Sequence, residues 1–398
     1  MGTVIMEIAI VGLLASLAAI AWFGYRLRQS MAAAPHLEPA TIALTPCTLT
    51  VIIPAYNEEL NLQNCVQSVL ASDLPPTVEL SVWIADDEST DQTAIIAQAL
   101  AATDTRLHVL TVPPRPTQEL WRGKNWACAQ AANQATGDYV LFMDADVRLA
   151  PGAIAAALAE SQSYQIDLLS CAPEIICGCF AEWLVQPLMM GLLAVGFRFD
   201  AVNDPSDPTA FAAGPFMLFR RQAYAAIGGH RAVAAEVVED VELARRIKRQ
   251  GYRLRYVLAL GLVQVRMYRS FAALWEGWTK NLYLGAQRSI AAMFLIAVAM
   301  ALLYVFPWLA LTSIPVLAWH PSRVSHPLLL FTAVGLLVLT LAAQYGLRCY
   351  CAHLFHQPLY YWWLSWLGGG IVMAMAIASV IKTETGWGWT WRGRSLAT

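Results

Sequence analysis

Four stretches without one charged side chain constrain this chain more than any other feature: residues 8–25, 289–322, 324–347 and 349–381. Each is long enough to cross a bilayer as a helix, which takes about 20 predominantly apolar residues. A composition of 58% hydrophobic and 14% charged residues over 398 positions agrees with a chain that lives partly in lipid. The first stretch follows Glu7 rather than a basic segment and is closed by Arg26 and Arg28, so it reads as a retained anchor and not a cleaved signal peptide. Those arginines, with Lys280 and Arg288 ahead of the second stretch, place the middle of the chain in the cytoplasm by the positive-inside rule.

The expected organisation is an anchor at 1–30, an Ala- and Pro-rich linker at 31–47, a domain at 48–288, and a membrane region at 289–398 with about three hydrophobic segments. Pro307 and Pro315 are expected to kink or break the first of these. Residues 179–199 carry only Glu182 and Arg198 as charges and read as a helix lying on the membrane surface, or equally as a buried core helix. Four spans from an outside N-terminus leave Lys382, Arg392 and Arg394 outside, against the charge rule, unless one C-terminal segment is re-entrant. Trp387, Trp389 and Trp391 suggest an interfacial tail in either case.

A net charge of -2 gives no footprint for nucleic acid, which is set aside as a partner. The eight cysteines lack the spacing of a zinc site and read as reduced, small apolar side chains.

From residue 48 the pattern alternates short strands with longer helices: strands at 49–53, 79–85, 107–112 and 139–143, helices at 60–71, 93–101 and 125–135. That alternation predicts an α/β domain, a mostly parallel sheet covered by helices. Ligands of such sheets bind beyond the carboxyl ends of the strands. Pro54, Ala55, Tyr56, Asn57 and Glu58 follow the first strand, Asp86, Asp87, Glu88 and Ser89 the second, and Asp144, Ala145 and Asp146 the fourth. Two carboxylates one residue apart suit a hard divalent cation that keeps waters and phosphate oxygens among its ligands, and such a cation neutralises a diphosphate leaving group.

These motifs, taken in order, resemble the family 2 glycosyltransferases of the GT-A fold. The strand-end P-x-Y-N-E is matched by Pro54 to Glu58, and D-D-x-S-x-D-x-T by Asp86, Asp87, Ser89, Asp91 and Thr93. G-K-x-x-A is matched by Gly123, Lys124 and Ala127, G-D by Gly137 and Asp138, and D-x-D by Asp144 and Asp146. The likeness covers residues 48–255 and implies a Rossmann-like cytoplasmic domain between an N-terminal transmembrane helix and a C-terminal transmembrane bundle. It also implies a nucleotide-diphosphate sugar as donor, bound by the loop of Pro54, Tyr56 and Glu58. Asp86 or Asp87 would contact base and ribose, and Lys124 the diphosphate or sugar. Asp144 would hold ribose or metal, and Asp146 the metal, Mg2+ or Mn2+. Glu58 and Glu59 read alternatively as ordinary first-turn acids of a helix, and Lys124, taken alone, as a surface lysine.

The family's E-D motif is matched by Glu239 and Asp240, which makes Asp240 the candidate base for the acceptor hydroxyl. As plain structure, Asp240 and Glu242 would favour a helix N-terminus. Direct attack by the acceptor implies inversion. Gly214, Pro215 and Phe216, then Gly228, Gly229 and His230, resemble the acceptor-side wall, although tight turns explain the glycines equally well.

The Q-x-x-R-W of processive synthases is absent, since Met267, Tyr268 and Arg269 stand in its place, so a single sugar is expected to move. The segment from Trp275 through Trp278 to Asn281 resembles the carotenoid glycosyltransferases, implying a membrane-embedded hydroxyl or carboxyl as acceptor. Hopanoid, sterol, diacylglycerol and ceramide are the alternative acceptors. A catalytically silent nucleotide-sugar-binding membrane partner is expected to lack the D-x-D or E-D acids, and a nucleotide-driven transporter to carry G-x-x-x-x-G-K-[ST]. Both acidic motifs are intact and the loop is absent.

Overall fold

Cys47–Ala55 (β1) is buried at every position except Thr48 and Pro54, as expected of a parallel strand covered on both faces. The computed structural model, which describes residues 2–40, 43–318 and 327–396, places it near the centre of a seven-stranded sheet. Val78–Asp86 (β2) and Tyr139–Met143 (β4) flank β1 in parallel, and Leu107–Thr111 (β3) lies outside β2. Phe216–Arg220 (β8) runs antiparallel between β4 and Leu168–Ala172 (β6), and Leu254–Leu258 (β9) closes the order β3-β2-β1-β4-β8-β6-β9. A small second sheet joins Val147–Leu149 (β5), Val263–Val265 (β10) and Glu174–Ile175 (β7).

All seven elements expected between residues 49 and 143 are present, their ends shifted by at most three residues. Asp138, the acid of the G-D pair, fixes the register of β4 beside β1: its Oδ2 accepts from the backbone N–H and the hydroxyl of Thr48, both at 2.9 Å. These donors, the backbone N–H first, hold its carboxyl below the ordinary carboxylate range.

Contacts divide the chain into two compact units, Ala32–Ile176 with Phe197–Met267, and Met1–Met31 with Cys177–Gly196 and Tyr268–Thr398. The second unit is helical: Gly2–Ala32 (α1), Phe180–Phe197 (α6), Phe271–Gly285 (α10), Ile290–Met300 (α11), Phe306–Ala318 (α12), Pro327–Leu354 (α13) and Ser365–Thr385 (α14). Among the described residues five helical stretches are long and apolar enough to cross a membrane: α1, α6, α11 running into α12, α13, and the stretch ending in α14. Met6 and Leu13 of α1 share one core cluster with Ile314 of α12 and Leu337 of α13.

Pro307 does not break its helix. The turns ahead of it, Ala301–Val305, widen to π geometry, and the helix then continues to Ala318. Proline has no N–H to offer the carbonyl four residues back, Leu303. Gln344 of α13 supplies the missing donor, its Nε2 lying 2.6 Å from Leu303 O, while its Oε1 accepts from Trp308 Nε1 at 2.8 Å. The side chain of Gln344 thus satisfies what the proline leaves open.

Trp278 is buried in α10 and donates its indole N–H to Gln186 Oε1 of α6 at 2.8 Å. Gly277 beside it is dictated by Tyr268, because a Cβ there would lie 2.3 Å from the tyrosine ring.

Candidate active site

The loops after β1 and β2 are tied to each other by side chain to backbone hydrogen bonds. Asn57 N–H donates to Ser89 Oγ at 3.0 Å, Glu58 N–H to Thr93 Oγ1 at 2.7 Å, and Glu59 N–H to Asp91 Oδ2 at 3.2 Å. Asn57 Oδ1 in turn accepts from Thr90 N–H at 2.8 Å. Asn57 and Glu88 both adopt left-handed backbone, with φ of 53° and 59°. Ser89, Asp91 and Thr93 therefore hold the first loop in shape. Glu58 is buried and accepts from Asn61 Nδ2 at 2.9 Å, and Pro54 is the penultimate residue of β1, opposite Ala85. Tyr56, just after β1, is half-buried.

Asp86 and Asp87 are both buried at the end of β2, and Oδ1 of Asp86 has no hydrogen-bond partner among the described residues. A buried acceptor left open costs about 1–3 kcal/mol, so this oxygen calls for a partner such as water, an ion or a ligand.

A cluster of charged side chains forms where β4, Gly123–Ala132 (α4), the turn before β8 and Glu239–Arg249 (α9) converge. Lys124 Nζ lies 2.7 Å from Asp144 Oδ1 and 2.8 Å from Glu239 Oε1. Burial opposes the ammonium charge, but the carboxylates of Asp144 and Glu239 outweigh it, so Lys124 stays protonated. A third of the lysine side chain still reaches solvent, 34% exposed, which leaves it able to meet a ligand.

Asp240, the second residue of α9, accepts from Gly214 N–H at 2.9 Å through Oδ2 and from Val241 N–H at 2.8 Å through Oδ1. Burial first, and then the neighbouring Glu239 carboxylate, push it up to about 6, with Lys124 pulling the other way. Gly214 sits amid these groups. A Cβ at that position would stand 3.0 Å from Lys124 Nζ and 3.2 Å from Asp240 Oδ2, so only glycine leaves the two side chains where they are.

The segment ahead of α9 is clamped by Asn125, whose buried Nδ2 donates to the carbonyls of Val233, Glu236 and Ala234 at 2.7, 2.9 and 3.2 Å. Arg122 adds a backbone donation to Ala234 O at 2.8 Å and a side-chain donation to Ala235 O at 3.0 Å. Residues that flank Lys124 in sequence thus position Asp240. Asn125→Leu is expected to destabilise the protein by about 1–3 kcal/mol, because it strips the shared donor from buried carbonyls. Thermal unfolding of the purified protein measures this.

His230 takes no part in metal binding here. It is buried against Phe142, with ring centroids 4.5 Å apart, and its Nδ1 lies 2.8 Å from Tyr224 Oη. Burial, and next Lys124, hold it down to about 3, so it is neutral.

Asp144 and Asp146 follow β4 on either side of the buried Ala145. Among the described residues no set of three His, Cys, Asp or Glu side chains is arranged to hold an ion. Two hard oxygen donors fit a Mg2+ or Mn2+ ion whose other ligands are diphosphate and water. Asn125 is the contributor that motif reading left without a role, while Glu239 entered only as half of the E-D pair and Gly214 only as part of an acceptor-side wall or a tight turn. Only the adjacency of Asn125 to Lys124 hinted at its part.

A mostly parallel sheet with one antiparallel insertion and acids at its strand ends defines a GT-A domain. The solved structure of a mannosyltransferase from Pyrobaculum calidifontis, in complex with GDP-Man and Mn2+, shares this fold with a TM-score of 0.54, covering 96% of this chain and 99% of that one at 20% identity. Residues 50–228 match the profile of the family described as glycosyl transferase family 2. The 4,4'-diaponeurosporenoate glycosyltransferase of Staphylococcus aureus strain MRSA252 is 30% identical over 254 residues, 63% of this chain. The chain spans about 65% of the length of that relative.

Proposed function

We propose that this protein is an inverting glycosyltransferase that moves one sugar from a nucleotide-diphosphate sugar to a membrane-embedded lipid, with a carotenoid as the leading acceptor. The observation that carries the reading is the convergence of Lys124, Asp144 and Asp240 on Gly214. It joins a cation for a diphosphate, a carboxylate for the donor and a buried base.

In this reading Asp86 Oδ1 accepts an N–H of the nucleotide base, with Asp87, Tyr56 and Pro54 around it. Lys124 exchanges part of its pairing with Asp144 and Glu239 for the diphosphate. Asp144 and Asp146 would hold the divalent ion, which when bound neutralises the charge that develops on the leaving diphosphate. The GDP-Man and Mn2+ bound to the mannosyltransferase of the same fold support this donor and metal. Asp240 takes the proton of an acceptor hydroxyl as its oxygen forms the new bond to the anomeric carbon. The bond from that carbon to the diphosphate oxygen breaks with its electron pair, and an alpha-linked donor gives a beta-linked product.

An aspartate held at about 6 is a competent base only when deprotonated. The kcat/KM for a hydroxyl acceptor is therefore expected to be full above pH 7 and to fall with unit slope as pH drops through about 6. A pH profile from 5 to 8 in a constant-ionic-strength buffer measures it.

Membrane placement follows similar reasoning. Ile176 N–H is bonded to Val265 O, and Asn203 Nδ2 to Tyr256 O, so both flanks of α6 belong to the sheet unit. A single crossing by α6 would divide that unit between the two faces of the bilayer, which supports a surface-lying helix. At the other end, Thr390 Oγ1 donates to Glu276 Oε1 at 2.6 Å, and Glu384 pairs with Arg288 at 3.5 Å. These contacts support a tail on the same face as α10, hence an even number of crossings between residues 289 and 381, with one C-terminal segment re-entrant. Arg26, Arg28, Lys280 and Arg288 support the cytoplasm as that face.

Purified protein in lipid, given labelled nucleotide sugars and extracted membrane lipids, tests the proposal. One sugar per lipid molecule is expected, and label in a polymer or in no lipid contradicts it.

A further inference from the structure

Outside the reacting centre, a groove of about 670 Å³ opens between the start of α10, the end of α14 and the C-terminal tail. Phe271 and Trp275 form an apolar wall, and Glu276, Lys382 and Thr390 the polar side. Glu276 is already engaged, accepting from Thr390 Oγ1 at 2.6 Å and from Arg392 N–H at 3.3 Å. Lys382 is different: its Nζ donates to Thr279 Oγ1 at 3.2 Å and forms no ion pair among the described residues.

Two helix surfaces fix the level of this groove relative to a bilayer. On α14 the exposed apolar side chains Ile377 and Ile381 end immediately before Lys382. On α11 the exposed Ile290, Phe294 and Leu295 begin immediately after Arg288. Arg288 and Glu384 are paired, so both boundaries stand at one height. Lysine at such a boundary faces the headgroups. Beyond it, Trp387 is 79% exposed and Trp391 carries Lys280 over its ring at 4.1 Å, the amphipathic aromatics of an interface.

Charge decides the occupant. Around Lys382 and Glu276 of the lining, Lys280 sits over Trp391, Arg288 pairs with Glu384, Arg392 N–H bonds to Glu276, and Arg394 is strand-paired with Trp391 in the tail, so basic side chains outnumber acidic ones. We infer that the groove holds the headgroup of an anionic phospholipid, its phosphate on Lys382 and its glycerol end against Phe271 and Trp275, with the acyl chains running back from Lys382 along Ile377 and Ile381, as a bound lipid that is not the sugar acceptor. The inference rests on reading α11 and α14 as membrane helices but not on the donor chemistry.

Native mass spectrometry of the full chain in nonionic detergent, titrated with dioleoyl phosphatidylglycerol or dioleoyl phosphatidylcholine, tests it. The anionic lipid should bind about fivefold more tightly, the increment of roughly one basic residue at a membrane surface. Lys382→Gln should erase that preference, whereas Arg249→Gln, which removes an equal charge from α9, should keep it. Equal affinity of the two lipids, or a preference untouched in Lys382→Gln, overturns the inference. Phosphatidylglycerol carrying a photoactivatable group on its headgroup, used with the unsubstituted protein, supplies an arm that needs no variant. Its crosslinks should map to residues 271–276 and 382–390, and crosslinks confined elsewhere overturn it. Competition by inorganic phosphate alone would make this a bare anion site. Displacement by a long-chain carboxylic acid acting as sugar acceptor would make it the acceptor's seat. Either result rejects the proposal while leaving the transfer reading to its own assay.

Discussion

Asp240→Asn is expected to lower kcat for a hydroxyl acceptor by about 10²–10⁴, the range of a positioned general base, while nucleotide-sugar binding changes little. Asparagine can still accept from Gly214 N–H, as Asp240 Oδ2 does at 2.9 Å, but gives up the acceptor for Val241 N–H, so thermal unfolding of the variant is measured beside its activity. The loss should be greatest above pH 7, where the parent carboxylate is ionised and the amide has no basicity to offer. The same variant separates acceptor classes. A carboxylic acid is already ionised near neutrality and has no proton to surrender, so transfer to it should fall far less. Comparing one apolar alcohol and one apolar acid on the two proteins therefore reads the acceptor chemistry from a ratio. Full transfer to alcohols by Asp240→Asn would remove the base from this site.

The second large effect concerns the donor. Asp146→Asn, or chelation of the parent protein, is expected to lower transfer by at least about 10³, since a Lewis acid at a leaving phosphate contributes several kcal/mol. Added Mn2+ or Mg2+ should restore the chelated parent but not the variant. Lys124 sharpens the test. With Asp144 at 2.7 Å it already compensates that carboxylate, so Asp144→Asn should also free the ammonium and move the Asp240 limb of the pH profile. Asp146→Asn should leave that limb in place. Isothermal titration of the nucleotide sugar, with and without metal, separates lost binding from lost chemistry.

Much of this site could be read from the chain because buried parallel strands leave a strong signal. Tyr139–Met143 is an unbroken apolar run, and the first acids after it mark where the strand surfaces. The same holds for Asp86 and Asp87 after β2. Motif reading does not reveal which acids face a ligand and which serve the backbone. Within D-D-x-S-x-D-x-T, Ser89, Asp91 and Thr93 bond to the first loop, while Asp86 keeps an open oxygen, and only the folded loops distinguish them. Asn125 was silent for another reason: its three acceptors lie 108 to 111 residues away. Gly214 reads in one dimension as an acceptor-side wall or a tight turn, and its close approach to Lys124 and Asp240 shows only in the fold.

In the apolar part, hydropathy finds helices but not their neighbours. Trp278 has the composition of an interfacial anchor, yet it is buried on Gln186, because an indole shielded by another helix and one shielded by lipid look alike in sequence. Pro307 reads as a break until Gln344, 37 positions on, supplies the donor that the helix lacks.

The most direct test is a single assay: purified protein in bilayers containing an apolar alcohol, given an alpha-linked nucleotide sugar with Mn2+, and the lipid phase analysed for the linkage formed. The account predicts one sugar per acceptor, beta-linked, in an amount that falls at least a hundredfold in Asp240→Asn. An alpha-linked product, or equal product from Asp240→Asn, would contradict it.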